Sequence, residues 1–180
     1  MHVGGCGEKE VADEKPTKEE APTKVPMREV DEGELERRDG VKYVNGENEP
    51  FTGTAIAYFV DGSKRYKRYE TPYVNGEKHG TVISYHKDGS KWREVPFVNG
   101  KEHGTGIRYY RDGSKEGEIP FVKGKLHGTQ VLYYRDGSKR SEHPNMNDKK
   151  HGMEIWYHED GSKSKEIVWK NGKVVSYKFY

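Results

Sequence analysis

Four histidines, His79, His103, His127 and His151, each precede a glycine and recur every 24 residues. Histidine is a common zinc ligand, so the row invites a metal reading. If the intervening segments are strands, equivalent residues of successive hairpins lie two strands apart, roughly 10 Å at about 4.8 Å per strand. Zinc holds its ligands at about 2.0–2.3 Å, so one row cannot converge on one ion. A packing role at a turn beside glycine accounts for the histidines. A second row, Glu70, Glu94, Glu118, Glu142 and Glu166, recurs once per unit. Paired-carboxylate chemistry needs a set separation of about 5–9.5 Å and two distinct environments, and nothing here forms a cleft. A solvated ladder answered by Lys and Arg is the expectation. Asp-Gly-Ser-Lys begins at 61, 88, 112, 136 and 160. Calcium loops alternate several carboxylates, whereas each of these loops holds one Asp. A phosphate loop needs a following helix, and no helical pattern follows. Ser with His lacks a specified third member, and repeated identical turns would mean repeated identical active sites. No catalytic residue, cofactor or metal is expected.

The elements that would position such residues follow from the repeat. Asn-Gly or a close variant begins at 45, 75, 99, 123 and 171, and Asn147-Asp148 stands in its place in one unit. From 75 onward the period is 24 residues, and the first unit is longer by six. Asp-Gly and Asn-Gly favour turns that need positive φ. The Val, Ile, Tyr, Phe, Thr and Trp between them suit strands. Each unit therefore reads as two strands and two turns. With three-residue loops at Asp88-Gly89-Ser90 and Asn99-Gly100-Lys101, apolar residues segregate. Ile83 and Tyr85 then share a face with Val95 and Phe97, opposite the glutamate row. With two-residue loops Ile83 would oppose Glu94 and the segregation would be lost. Stacked columns follow: Ile56, Ile83, Ile107, Val131 and Ile155; Tyr58, Tyr85, Tyr109, Tyr133 and Tyr157; and Tyr73, Phe97, Phe121 and Trp169. Asn145 interrupts the third column, so a weak spot is expected there. Pro72, Pro96, Pro120 and Pro144 cannot donate to a ladder, so each marks a bulge or a gap on one side.

Composition agrees with a thin core repeated along an axis. Apolar residues make up 31% and charged residues 34% of the 180, while 13 Tyr and 22 Gly supply ring surface and turns. Residues 7–40 hold 12 acidic and 7 basic residues, and 41–180 hold 18 acidic and 25 basic. The basic excess falls short of a nucleic-acid signature. No apolar run of about 18 residues is present, so no transmembrane segment is expected. Residues 1–40 are expected as a disordered charged arm, because they have little apolar surface to bury. Within that arm Val3-Gly4-Gly5-Cys6 resembles the end of a bacterial lipobox, which makes Cys6 a candidate lipidation site. An envelope location then follows; without lipidation the location is cytoplasmic.

Units of Asn-Gly-Lys-x-His-Gly-Thr, aromatics, then Asp-Gly-Ser-x-x-x-Glu resemble the bacterial variant of the MORN repeat across residues 41–180. The resemblance implies an all-β, elongated, single-layer antiparallel sheet of tandem hairpins, closed by a last strand from Lys173 to Tyr180. It also implies scaffolds, spacers or binding surfaces for proteins and sometimes lipids. Many bacterial members carry a YwqK-type antitoxin label, and the family has no shared catalytic residues. The expected function is a non-enzymatic protein-interaction scaffold or spacer. An antitoxin that blocks one toxin and a cell-wall glycan-binding module are the alternatives. Trp, Tyr and Arg dominate binding hot spots, so Trp92, Arg108, Tyr110, Tyr134 and Trp156 are the candidate interaction surface, expected together on the second face.

Overall fold

The computed structural model describes residues 28–180. Arg28 leads into β1 (Glu29–Asp31), a 3-10 turn (Glu32–Glu34), β2 (Leu35–Arg38) and β3 (Val41–Val44). The first hairpin of the repeat follows as β4 (Gly53–Asp61) and β5 (Lys64–Val74). Each later unit is a two-residue strand, a six-residue strand and an eight-residue strand: β6 (Glu77–Lys78), β7 (Gly80–Tyr85) and β8 (Lys91–Val98), then β9 (Lys101–Glu102), β10 (Gly104–Tyr109) and β11 (Lys115–Val122). The pattern continues through β12 (Lys125–Leu126), β13 (Gly128–Tyr133), β14 (Lys139–Met146), β15 (Lys149–Lys150), β16 (Gly152–Tyr157) and β17 (Lys163–Lys170), and ends in β18 (Lys173–Phe179). The long strands run β1-β4-β5-β7-β8-β10-β11-β13-β14-β16-β17-β18 across one sheet, with the short strands paired beside β5, β8, β11 and β14. The expected all-β sheet of tandem antiparallel hairpins is present, with β1 on β4 as a parallel edge pair.

The loop lengths differ from those expected, and the difference reassigns the faces. Asn99 (φ 47) and Gly100 (φ 74) form a two-residue loop between the partners Val98 and Lys101. At the other end His86 N–H donates to Ser90 O at 2.8 Å and Gly89 N–H to His86 O at 3.0 Å. The three loop residues are therefore Lys87-Asp88-Gly89, one position earlier than Asp88-Gly89-Ser90. A bulge then places Lys91 opposite Tyr85 but Arg93 opposite Ser84, leaving Trp92 as the extra residue. That insertion reverses the parity, because successive side chains alternate between faces. Ile83 lies opposite Glu94 and Val82 opposite Val95. The isoleucine, tyrosine and glutamate rows thus share one face, the tyrosine face. The other, packed face carries most of the buried side chains of the repeats, Ala55, Thr71, Tyr73, Ser84, Val95, Phe121, Leu132, Ser141, His143 and Glu154, while Ile56 is buried on the tyrosine face.

Each proline marks a gap, as expected. Pro96 opposes Thr81 on one side, while on the other Pro96 O accepts from His103 N–H at 2.9 Å where the ladder is interrupted. A side chain on Gly104 (φ 102) would lie 3.1 Å from Pro96 Cγ, so glycine after each histidine lets the strand cross the ring. The irregular turn Asn147-Asp148 keeps the pattern. Asp148 N–H donates to Leu126 O at 3.0 Å, as Gly100 N–H does to Lys78 O at 2.9 Å, and Asp148 Oδ1 accepts from Leu126 N–H at 2.8 Å.

Residues 28–40, expected in the disordered arm, are folded. Asp31 caps the 3-10 turn by accepting from Gly33 N–H at 3.0 Å, and Glu34 accepts from Asp31 N–H at 3.3 Å. The β2–β3 hairpin packs Leu35 and Val44 with Val30, Phe51, Ala55 and Tyr73 in a cluster of buried apolar residues. Isolated apolar residues among charges bury their surface here only through this tertiary contact, so composition alone misplaced the boundary. The hairpin adds a second small sheet at the β4–β5 end of the packed face. Residues 1–27, with Cys6, lie outside the described residues.

Candidate functional site

On the packed face, Trp92, Arg93, Arg108, Ile119, Phe121, Leu126 and Gln130 line an open groove of about 320 Å³. Trp92 is 43% exposed, a consequence of the bulge that extrudes it, and its ring lies 6.3 Å from His86. Arg108 is held by Glu116 through Nε–Oε2 at 2.8 Å and Nη2–Oε1 at 3.0 Å. A guanidinium fixed in this way presents its face at low entropic cost. The groove floor is the aromatic Phe121 with Ile119, and its rim is Trp92 and Gln130. This is a surface for an apolar side chain with polar neighbours, and it holds no paired acid and base.

The other expected members lie elsewhere. Tyr110 and Tyr134 sit in the Asp-Gly loops, not on a face of the sheet. Tyr110 OH donates to Tyr133 O at 2.7 Å and Tyr134 OH to Tyr157 O at 2.8 Å, so each ties its loop to the next unit. Trp156 is on the packed face, two hairpins along from Arg108, where its Nε1–H donates to Glu154 Oε1 at 2.7 Å. The expected surface therefore divides into a groove, a row of loop straps and a half-buried indole.

Trp156 belongs to a polar cluster that the repeat pattern concealed. His143 Nε2 lies 2.8 Å from Ser141 Oγ, and His143 Nδ1 lies 3.6 Å from Glu154 Oε1. Lys150 also donates to Glu154, and the His143 ring meets Trp156 edge-on at 5.1 Å. Ser141, His143 and Glu154 are 0%, 8% and 2% exposed. Burial pushes the His143 imidazole below its usual range, against the opposing pull of Glu154. Burial also opposes ionisation of Glu154, but hydrogen bonds from Lys150 and Trp156 outweigh it and hold the carboxyl below its usual range. The order Ser–His–Glu resembles a nucleophile with its base and orienting acid. A nucleophile must reach a substrate carbon, however, and Ser141 exposes no surface, so this arrangement packs a sheet face. Its sequence signal is a departure from the columns: Gly117, Ile119 and Gln130 occupy the equivalent places one unit earlier.

The glutamate row lies beside the tyrosines, not opposite them. Glu94 accepts from Lys91 at 2.6 Å and from Tyr109 OH at 3.0 Å. Lys115–Glu118, Lys139–Glu142 and Lys163–Glu166 repeat the pair at 2.7 Å. Lys91, then the Tyr109 hydroxyl, hold Glu94 below its usual range despite partial burial. Such half-exposed pairs contribute about 0–1 kcal/mol each, so the ladder tunes register more than stability. The histidine row links turns: His79 Nδ1 lies 3.4 Å from Asn99 Oδ1, and His127 Nδ1 lies 3.3 Å from Asn147 Oδ1.

Three of these units match a known repeat family. Residues 78–99, 102–123 and 150–171 each match the model of the MORN repeat variant. Each matched segment begins near the histidine crossing, runs through one hairpin and ends at the Asn-Gly turn or its variant. Between the second and third of these segments lies the unit carrying Ser141, His143 and Asn145. Comparison with curated proteins finds no match to the chain. MORN repeats are in general modules that bind proteins or membranes, and the family is non-catalytic in general. Among the described residues no helix is long and apolar enough to cross a membrane.

Proposed function

We propose that this chain is a non-enzymatic scaffold whose MORN-type sheet receives a protein partner in the Trp92–Arg108 groove. The observation that carries this reading is the pairing of a 43% exposed tryptophan with a pinned arginine over an aromatic floor. Trp and Arg beside a desolvated pocket are the usual composition of a binding hot spot. The tyrosine face offers a contrast, since its cations are already matched to the glutamate row. Affinity capture from host extracts with the full chain, read by mass spectrometry, tests the reading. The expected result is one stoichiometric protein, lost in Trp92→Ala/Arg108→Ala and kept in Lys91→Ala on the other face. Equal capture by both variants would remove the groove from the function.

Tethering at a bacterial envelope through Cys6 is part of the proposal, supported by Val3-Gly4-Gly5-Cys6. Metabolic labelling with a palmitate analogue is expected to mark the protein expressed from its native locus. Labelling that persists in Cys6→Ser, or that never appears, sinks the tether and leaves the scaffold standing.

A further inference from the structure

The two edges of the sheet are finished differently. At one edge β1 covers β4, with Val30 opposite Ala55. At the other, among the described residues, β18 pairs with β17 on one side only, and all seven of its residues are exposed. Val175, Tyr177 and Phe179 are 61%, 69% and 67% exposed, and the two rings meet edge-on at 5.8 Å. A row of unpaired backbone groups beside exposed aromatics is a template for another strand.

The hydrogen-bond pattern of β18 selects the strand that fits. Tyr180 N–H donates to Ser164 O at 3.1 Å. Polar groups alternate sides along a strand, so Lys178 and Ser176 also face β17, opposite Glu166 and Val168. Tyr177 and Phe179 therefore direct their N–H and C=O groups outward. Several symmetric antiparallel registers are open to a copy of the same strand, and the one centred on Ser176 sets Phe179 against Lys173 and opposes no two rings. Centred on Lys178, the pairing sets two lysines directly opposite each other, which is destabilising. Centred on Tyr177, it sets Tyr177 against its own copy and Ser176 against Lys178, and brings Val175, the extra residue of a bulge in β18, beside Phe179. Aromatic and aromatic–aliphatic cross-strand pairs of this kind are favourable, and no like charges meet.

We propose that β18 binds β18 of a second copy of this chain, antiparallel and centred on Tyr177, so that two sheets continue into one across a twofold axis. The interface is isologous, so it closes at two copies instead of growing into a fibre. It leaves the Trp92–Arg108 groove free, and its test is independent of that reading.

Sedimentation velocity of the full chain, in reductant so that Cys6 cannot cross-link copies, is expected to show a concentration-dependent dimer. Tyr177→Pro removes an outward donor that β17 does not use, so the fold is kept while the dimer weakens by at least about tenfold, or ~1.4 kcal/mol. Tyr177→Lys and Tyr177→Glu place like charges on the axis, and each alone is expected to be monomeric. Mixed in equal amounts, they are expected to pair. A monomer at every concentration, a dimer indifferent to Tyr177→Pro, or folded single variants that fail to pair when mixed would each overturn the proposal.

Discussion

Replacing Phe51 with alanine is expected to destabilise the β1–β5 end by about 3–5 kcal/mol, the usual range for truncating a buried phenylalanine. Phe51 is 2% exposed, and its ring packs on Tyr73 with centroids 5.9 Å apart at 54°. Its backbone also joins the two sheets: Phe51 N–H donates to Lys42 O at 2.8 Å, and Phe51 O accepts from Gly76 N–H at 2.7 Å. The ring fills the space over Gly53, where a side-chain carbon would lie 2.8 Å from Phe51 Cζ. Truncation leaves a cavity bounded by Val30, Leu35, Val44, Ala55 and Tyr73, and the short β2–β3 hairpin has no other cluster of buried apolar residues to join. In a repeat sheet each unit touches only its neighbours, so the loss stays local. Hydrogen exchange is the measurement: amides of Val30, Lys42 and Val44 are expected to lose protection while those of β13 to β17 keep theirs. Uniform loss across the sheet would show that the cap and the array fold as one unit.

Glu154→Ala is expected to cost a similar amount, about 3–5 kcal/mol, as when one partner is removed from a buried charged network. The carboxylate is the shared acceptor of Trp156 Nε1–H and Lys150, and it faces His143. Without it the half-buried indole N–H loses its acceptor and the buried imidazole keeps only Ser141, and a polar group left unpaired on burial carries a desolvation penalty. Replacing the whole patch with the residues of the preceding unit is the informative contrast. Ser141→Gly, His143→Ile, Asn145→Phe, Glu154→Gln and Trp156→Leu together are expected to restore most of the loss, because a satisfied apolar face needs no network. Acid acts in the same direction as Glu154→Ala. The folded state holds His143 below its ordinary value of 6.5, so the unfolded chain binds the proton more readily. Stability is then fully present above that value and falls as pH drops through it. Glu154, also held low, adds a loss at still lower pH. Urea unfolding followed by tryptophan fluorescence at pH 7.5 and 5.5 is the check. His143→Ile, the residue type found at 119 and 167, is expected to flatten the first part of the slope. An unchanged slope would show that His143 does not set the acid response.

Some features were open to a reader of the chain and others were not. Asp-Gly and Asn-Gly at regular spacing, with β-branched and aromatic runs between, name a hairpin array from local chemistry alone. Proline at 72, 96, 120 and 144 likewise announced a break on one side of each long strand. The Lys–Glu ladder was legible as composition, but its face was not. Its placement depended on one extruded residue in each hairpin, Trp92 in the unit of Glu94, at a bulge that no dipeptide signals. The cap was hidden for a different reason, since Val30 and Leu35 are single apolar residues whose partners, Phe51 and Tyr73, lie far along the chain. The Ser141–His143–Glu154 cluster spans two strands, and only sheet pairing brings its members together.

Local turn chemistry and a 24-residue period were therefore enough, by themselves, to determine an all-β hairpin array. Turns and strand propensity are properties of a few adjacent residues, and repetition multiplies their signal. The tertiary structure alone decided which side chains share a face, what closes the first edge, and where a groove opens. Side-chain direction in a strand has period two, so a single inserted residue reverses every assignment beyond it. Burial depends on neighbours that are distant along the chain.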